Sequence, residues 1–255
     1  MRRFQRLALV GALLLAVGAS LGHAQTMSGA QRTEIERIVR EYLLKNPEVL
    51  QEAIAELEKR QAVAEAEKHQ VAVKDNAQAL FNSERHVVVG NPKGDVNFVE
   101  FFDYNCGYCK RAMTDMLDLM KADPKLRVVL KEFPVLGPGS MEAARVGVAV
   151  RMQDKSGGKK YLEFHQKLLA GRGQVDKARA IAAAKEVGLD MARIERDLGS
   201  DEVRLSLEES FKLAEKLGLN GTPSYVIGDN VVVGAVGLGP LKEKVNIARC
   251  GKATC

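Results

Sequence analysis

The sequence predicts an α/β domain carrying a helical insertion and preceded by a separate helical segment. Three observations predict it. Strand- and helix-forming runs follow one another from residue 82 in the order β, β, α, β, a block of helices, β, β, α. The block of helices, about 138–218, interrupts the run of strands. Residues 25–81 show helical periodicity, with too few apolar positions to build a core of their own. The expected organisation is therefore a leader at 1–24, a helical segment and linker at 25–81, and the α/β domain at 82–255.

The leader comes first. Arg2, Arg3 and Arg6 are followed by the uncharged apolar run Leu7 to Val17, and Gly22 and Ala24 are small residues spaced as in a cleavage site. The wider apolar stretch around this run is about 15 residues, short of the roughly 20 that span a bilayer. This predicts export with cleavage near Ala24 and no stable membrane insertion afterwards. No cysteine stands at the cleavage site, so a lipid anchor is not indicated. The chain has 255 residues and a net charge of +5, three charges of which belong to the leader arginines. That excess is too small to indicate nucleic acid, and no basic patch follows.

In the helical segment, Thr33 and Glu36 read as a capping box. Ile35, Ile38, Val39, Tyr42 and Leu43 then form one helical face. Asn46, Pro47 and Glu48 read as the start of a second helix running to about Leu80. Leu50, Leu57, Ala64 and Val71 keep a seven-residue spacing. Self-association through residues 33–80, as dimer or trimer, would bury these faces; the alternative is an arm folded on its own domain.

In the α/β domain, strands are expected at His86–Val89, Val96–Phe102 and 126–135, and a helix carries Met113, Met116, Leu117 and Met120 on one face. Helices are expected from Ser140, over Lys160–Ala170, Asp176–Val187, Asp190–Leu198 and Asp201–Leu217. Two strands turn at Gly228–Asn230, and 240–249 is a last helix.

The chemistry lies in "FVEFFDYNCGYCKR", 98–111. Four cysteines allow three pairings, and the two close pairs make Cys106–Cys109 and Cys250–Cys255 the simplest. A strand feeding Cys-x-x-Cys at a helix start places the first sulfur where free backbone N–H groups favour negative charge. The thiolate is the nucleophile of thiol–disulfide exchange. Cys106 is thus expected to be an exposed attacker, and Cys109, one turn further on, shielded. Lys110 and Arg111 add positive charge.

This stretch, with "GTPSYVIG" at 221–228 beyond a helical insertion, resembles the DsbA-like branch of the thioredoxin superfamily. The resemblance implies a thioredoxin fold with a helical insertion over about 85–249. It implies that Cys106 and Cys109 are catalytic, that Pro223 is a cis-proline facing them, and that Glu100 is the buried acid before them. Glu100 would take the proton of Cys109, and Lys131 is a candidate partner for it. Thr222 and Pro223 would form a client-binding ledge. Gly107 and Tyr108, inside the motif, resemble the dipeptide of DsbC-type isomerases more than the Pro-His of DsbA oxidases. The segment "EIERIVREYLLKNPEVLQEAIAELEKRQ" resembles the N-terminal segment of the ScsC-type proteins linked to copper tolerance, some of which trimerise.

Together these imply a periplasmic disulfide isomerase or reductase with no cofactor, acting on misfolded or oxidised clients and re-reduced by a membrane thiol reductase. One alternative is a monomeric DsbA-like oxidase. Another is a copper-binding thiol carrier or a holdase, since thiolates at Cys106 and Cys109 suit Cu(I). Cys250 and Cys255 are expected to form a structural disulfide; a Cys₄ zinc site would instead need all four sulfurs together. His165 reads as a packed or exposed helix residue rather than a catalytic one.

Overall fold

The computed structural model describes residues 27–255. The leader expectation, with cleavage near Ala24, lies outside the described residues. The described residues divide into two units, one ending at Lys59 and the other Arg60–Cys255.

The first unit contains α1 (Gly29–Lys45) and the start of α2 (Glu48–Asp75). The capping box of α1 is not the expected one. The Ser28 hydroxyl accepts from the Gln31 N–H and the Gln31 side chain accepts from the Ser28 N–H, so the cap is at Ser28 and not at Thr33. Thr33 lies inside the helix, its hydroxyl donating to the Gly29 carbonyl. Asn46 ends α1 rather than starting α2: its backbone and side-chain N–H groups both donate to the Tyr42 carbonyl. No side chain of α1 is buried, and Ile35, Ile38, Val39, Tyr42, Leu50, Ile54 and Leu57 stay about half exposed.

The second unit begins within α2, which stops at Asp75 rather than near Leu80; Asn76 separates it from the short α3 (Ala77–Phe81). Val73 and Leu80, expected to belong to the linker, are buried against the α/β domain. The sheet runs β1 (Val87–Gly90), β3 (Leu126–Glu132), β2 (Val96–Phe102), β4 (Ser224–Ile227), β5 (Asn230–Val233). Strands β2 and β3 are parallel, and the other neighbours are antiparallel. Between β2 and β3 lies α4 (Gly107–Ala122). The insertion between β3 and β4 comprises α5 (Pro138–Gln153), α6 (Lys159–Ala170), α7 (Lys177–Glu186), α8 (Met191–Asp197) and α9 (Asp201–Lys216). Helix α10 (Leu238–Cys250) closes the domain.

Strand alternation sorts the core into two layers. Phe98 and Phe102 of β2, with Val128 and Leu130 of β3, join Cys109, Ala112, Met116 and Leu119 of α4, Leu241 and Val245 of α10 and the inner residues of the insertion. Val99, Phe101 and Val129 pack on the other face with Val73, Leu80 and α9. Both faces of the central strands are covered, which is why "VNFVEFF" reads as a nearly continuous apolar run.

The same alternation corrects one expectation. Glu100 pairs in register with Leu130 and faces the α4 layer; Lys131 is one residue further on and faces the opposite layer. Lys131 is therefore not the partner of Glu100. Its ammonium reaches Glu209 of α9 at 3.1 Å.

Candidate active site

Strand β2 delivers the chain to a three-residue turn, Asp103-Tyr104-Asn105, and Cys106 then caps α4. Cys106 has extended backbone angles, and its sulfur accepts from the Cys109 N–H at 3.4 Å, as a serine or aspartate would at a helix cap. The thiol also donates to the Thr222 carbonyl at 3.1 Å, which brings in the loop holding the cis Thr222–Pro223 peptide. Cys106 is consequently not an open nucleophile: only 5% of its surface is exposed, against 0% for Cys109. Tyr108 is the prominent exposed group, with the Arg111 guanidinium 4.5 Å above its ring.

The two sulfurs are electrostatically unlike. The Cys109 thiol donates to Cys106, and with the Cys109 and Tyr108 N–H groups it holds Cys106 down to about 5, against the opposing effect of burial. Cys109 is pushed far up by giving that hydrogen bond, by burial and by the negative charge of Glu100. Glu100 is itself raised to about 8, first by burial and then by the charges of Cys106 and Asp115. Its Oε2 has no protein partner among the described residues, and neither has the hydroxyl of Tyr225, which pairs in register with Glu100 across β4. The expected cysteines, Glu100, Gly107, Tyr108, Thr222 and Pro223 thus converge on one end of the sheet.

The other cysteine pair is elsewhere. Cys250 and Cys255 are bonded to each other at the exposed end of α10. Arg249, beside Cys250, pairs with Asp95 and with Asp123, which caps the far end of α4. The disulfide is thereby a helix length, roughly 24 Å, from Cys106. A Cys₄ site is geometrically closed, and among the described residues no three or more His, Cys, Asp or Glu side chains are grouped to hold a metal ion.

Sequence reasoning missed the turn before Cys106. The buried Asp103 carboxylate accepts from the N–H groups of Asn105, Val135 and Leu136 and from the Ser140 hydroxyl, at 2.7–2.9 Å. Tyr104 donates to the buried Glu132 at 3.0 Å, as does Tyr161 of α6 at 2.6 Å. Burial outweighs these two donors and raises Glu132 to about 8. Gly147 of α5 makes room, since a side chain there would collide with that carboxylate. His165 lies in the same cluster, fully buried between Phe102, Tyr104 and Tyr161 and pushed down to about 3 by burial. The only signal in the sequence was that Asp103, Tyr104 and Asn105 adjoin the cysteines; nothing local pointed to Glu132, Tyr161 or His165.

Residues 98–246 match the family model of the DSBA-like thioredoxin domain. The chain belongs to that family. Residues 31–64 match a second model, the copper resistance protein ScsC N-terminal domain. The chain is similar to a thioredoxin-like oxidoreductase from Silicibacter pomeroyi DSS-3, at 45% identity and TM-score 0.63, over 68% of this chain and 96% of that one. It is similar to Proteus mirabilis ScsC in a transitional conformation, at 29% identity and TM-score 0.64, over 88% of this chain and 100% of that one. Over 169 residues it is 25% identical to the probable disulfide bond formation protein D of Bacillus cereus, covering 62% of this chain and 77% of that protein. It also matches a Na(+)/H(+) antiporter of Salinispora arenicola at 25% identity over 170 residues, and spans a quarter (25%) of that protein's length. The DsbA-like domain of this chain is thus a thiol–disulfide oxidoreductase domain, a mixed sheet with a helical insertion. Among the described residues no helix is long and apolar enough to cross a membrane.

Proposed function

We propose that the chain is an exported, periplasmic disulfide isomerase or reductase acting through Cys106 and Cys109. The observation that carries the reading is the split between the sulfurs, one held at about 5 and the other far above its ordinary value. A client cystine laid along Thr222–Pro223 presents one sulfur to the Cys106 thiolate. The Cys106–client S–S bond forms, the client S–S bond breaks, and the departing client thiolate takes up a proton. If a client thiolate then attacks the mixed disulfide, the client is re-paired and Cys106 is restored with no net electron transfer. If Cys109 attacks instead, its proton passes to Glu100, the client leaves as a dithiol, and Cys106–Cys109 is left oxidised. A membrane thiol reductase would return the two electrons.

Isomerisation is favoured by the Gly107-Tyr108 dipeptide and by the helical segment, whose exposed apolar faces suit self-association and so several sites around one client. A specific observation also favours an oxidase: a strongly lowered Cys106 stabilises the reduced form and makes the Cys106–Cys109 disulfide more oxidising.

The test is recovery of activity from a client with scrambled disulfides, using the full mature chain and a chain starting at Arg60, both reduced. Recovery by the full chain alone supports an isomerase that needs its N-terminal helices. Failure of both, together with oxidation of a reduced client by the disulfide forms, establishes the oxidase instead.

A further inference from the structure

The residues just outside the two cysteines hold a single loop. This is the stretch 171–175, Gly-Arg-Gly-Gln-Val, between α6 and α7. Asn105, immediately before Cys106, donates to the Val175 carbonyl at 2.8 Å and accepts from the Val175 N–H at 2.6 Å. Lys110, immediately after Cys109, donates to the carbonyls of Gly171 at 2.9 Å and Gly173 at 3.5 Å. From α7, Arg179 donates to the carbonyls of Arg172 and Gln174.

All five successive carbonyls are thus taken by side-chain donors. The backbone N–H groups of Arg172, Gly173 and Gln174 donate to nothing among the described residues, and neither does the exposed Arg172 guanidinium. Asp176, the nearest acid along the chain, is committed to capping α7 through the Arg179 N–H. The loop bonded to the residues flanking the cysteines therefore carries, among the described residues, unpaired N–H donors and an unpaired cation, while its carbonyl oxygens already accept hydrogen bonds. Five carbonyls are an acceptor-rich surface when unpaired; here each already accepts a side-chain hydrogen bond, and the groups left without a partner are donors, which suit an acceptor.

We propose that loop 171–175 is a specificity-determining wall of the client site, favouring clients with carboxylates flanking the attacked cystine, and that Asn105 and Lys110 are the positioning residues that hold it. The inference rests on Cys106 being the attacking sulfur. It differs from the Thr222–Pro223 ledge, which pairs with client backbone and reads no charge.

Two peptides with one intramolecular disulfide, flanked by two glutamates or by two lysines, test it with the reduced full chain. The rate constant of peptide reduction is expected to be about threefold higher for the glutamate peptide, the size of an exposed ion pair. The positive end of α4 attracts acids too, so the variants decide. Arg172→Glu, an exposed change that leaves every loop hydrogen bond in place, should abolish or reverse the preference. Asn105→Ala should bring it towards unity by freeing the Val175 end, an effect on charge discrimination that lost stability alone would not give. Equal rates for both peptides in the parent protein, or a preference unchanged in both variants, would overturn the proposal while leaving exchange at Cys106 standing. Reduction of neither peptide would overturn both.

Discussion

Glu100 is held in a state unusual for a carboxyl. It is fully covered, lacks a partner for Oε2 among the described residues, feels the charge of Cys106 and itself raises Cys109. A carboxyl raised to about 8 is mostly protonated at neutral pH and accepts a proton only after ionising. The rate at which Cys109 resolves a mixed disulfide should therefore climb with pH through an inflection near pH 8, or somewhat below it, because the mixed disulfide removes the Cys106 charge. Glu100→Gln should erase that inflection and slow resolution by about 10²-fold at pH 7. Decay of a mixed disulfide between Cys106 and a small thiol measures this directly; an unchanged profile in the variant would remove Glu100 from proton transfer. How much of the site the sequence showed is also clearest at this scale. Strand-to-helix placement of a Cys-x-x-Cys is a local pattern, and it pointed to Cys106 and Cys109, whereas Glu100 was singled out by the resemblance to the DsbA-like branch. The partner of Lys131 was not local: it depends on which strand residues face the same layer and on a helix carrying Glu209, 78 residues away. Asp103, Tyr104 and Asn105 escaped for the same reason, since their partners Ser140, Tyr161 and Val175 come from the insertion.

At the scale of elements, periodicity did well where packing is amphipathic and poorly where hydrogen-bonding side chains compete. Strand β2 and helices α6 to α9 fall within a residue or two of expectation, because each is bounded by a cap or a glycine. The start of α1 was misplaced because Ser28/Gln31 and Thr33/Glu36 both fit a capping box, and only one can sit at the end. Helices α1 and α2 also leave apolar side chains half exposed over Ile35 to Leu57. Fully burying one such side chain is worth about 1.5–3 kcal/mol, so several together favour association strongly. Ile38→Lys with Ile54→Lys should convert an assembled protein into a monomer, as read by light scattering, while leaving the melting of the DsbA-like domain within a few degrees of the parent. An unchanged mass would place the association surface elsewhere or abolish it.

For the whole molecule, the buried ionisable groups set a stability window that a surface view would not suggest. In the oxidised protein, with Cys106 bonded to Cys109, two carboxyls and two imidazoles dominate. Burial raises Glu100 and Glu132, Glu132 to about 8, so the native state keeps protons that the unfolded chain releases above its ordinary 4.5. Stability from these two is present at low pH and is lost as pH rises towards 8. Burial first, then the Lys131, Arg127 and Arg151 charges, lower His86 to about 3, and burial alone lowers His165 to about 3. The unfolded chain then binds protons below 6.5 that the native state refuses, so stability is lost as pH falls. Between about 4.5 and 6.5 the two effects oppose each other and stability should be nearly level. It should fall below that range, helped by Glu202, whose carboxyl Arg151 and Arg85 hold below its ordinary value despite the opposing pull of burial. Above the range it should fall again. Reduction changes the alkaline side. Cys106, lowered from 9 to about 5, contributes stability that is complete above pH 9 and lost as pH falls through 5, opposite in sign to the carboxyls. The reduced protein should therefore gain on the oxidised one as pH rises from 5 to 9, at up to about 1.4 kcal/mol per pH unit. Chemical denaturation of both forms at pH 5, 7 and 9 measures the difference. A gap that stays constant or narrows with pH would mean that Cys106 is not held as a thiolate by the end of α4, and the asymmetry on which the exchange mechanism depends would go with it.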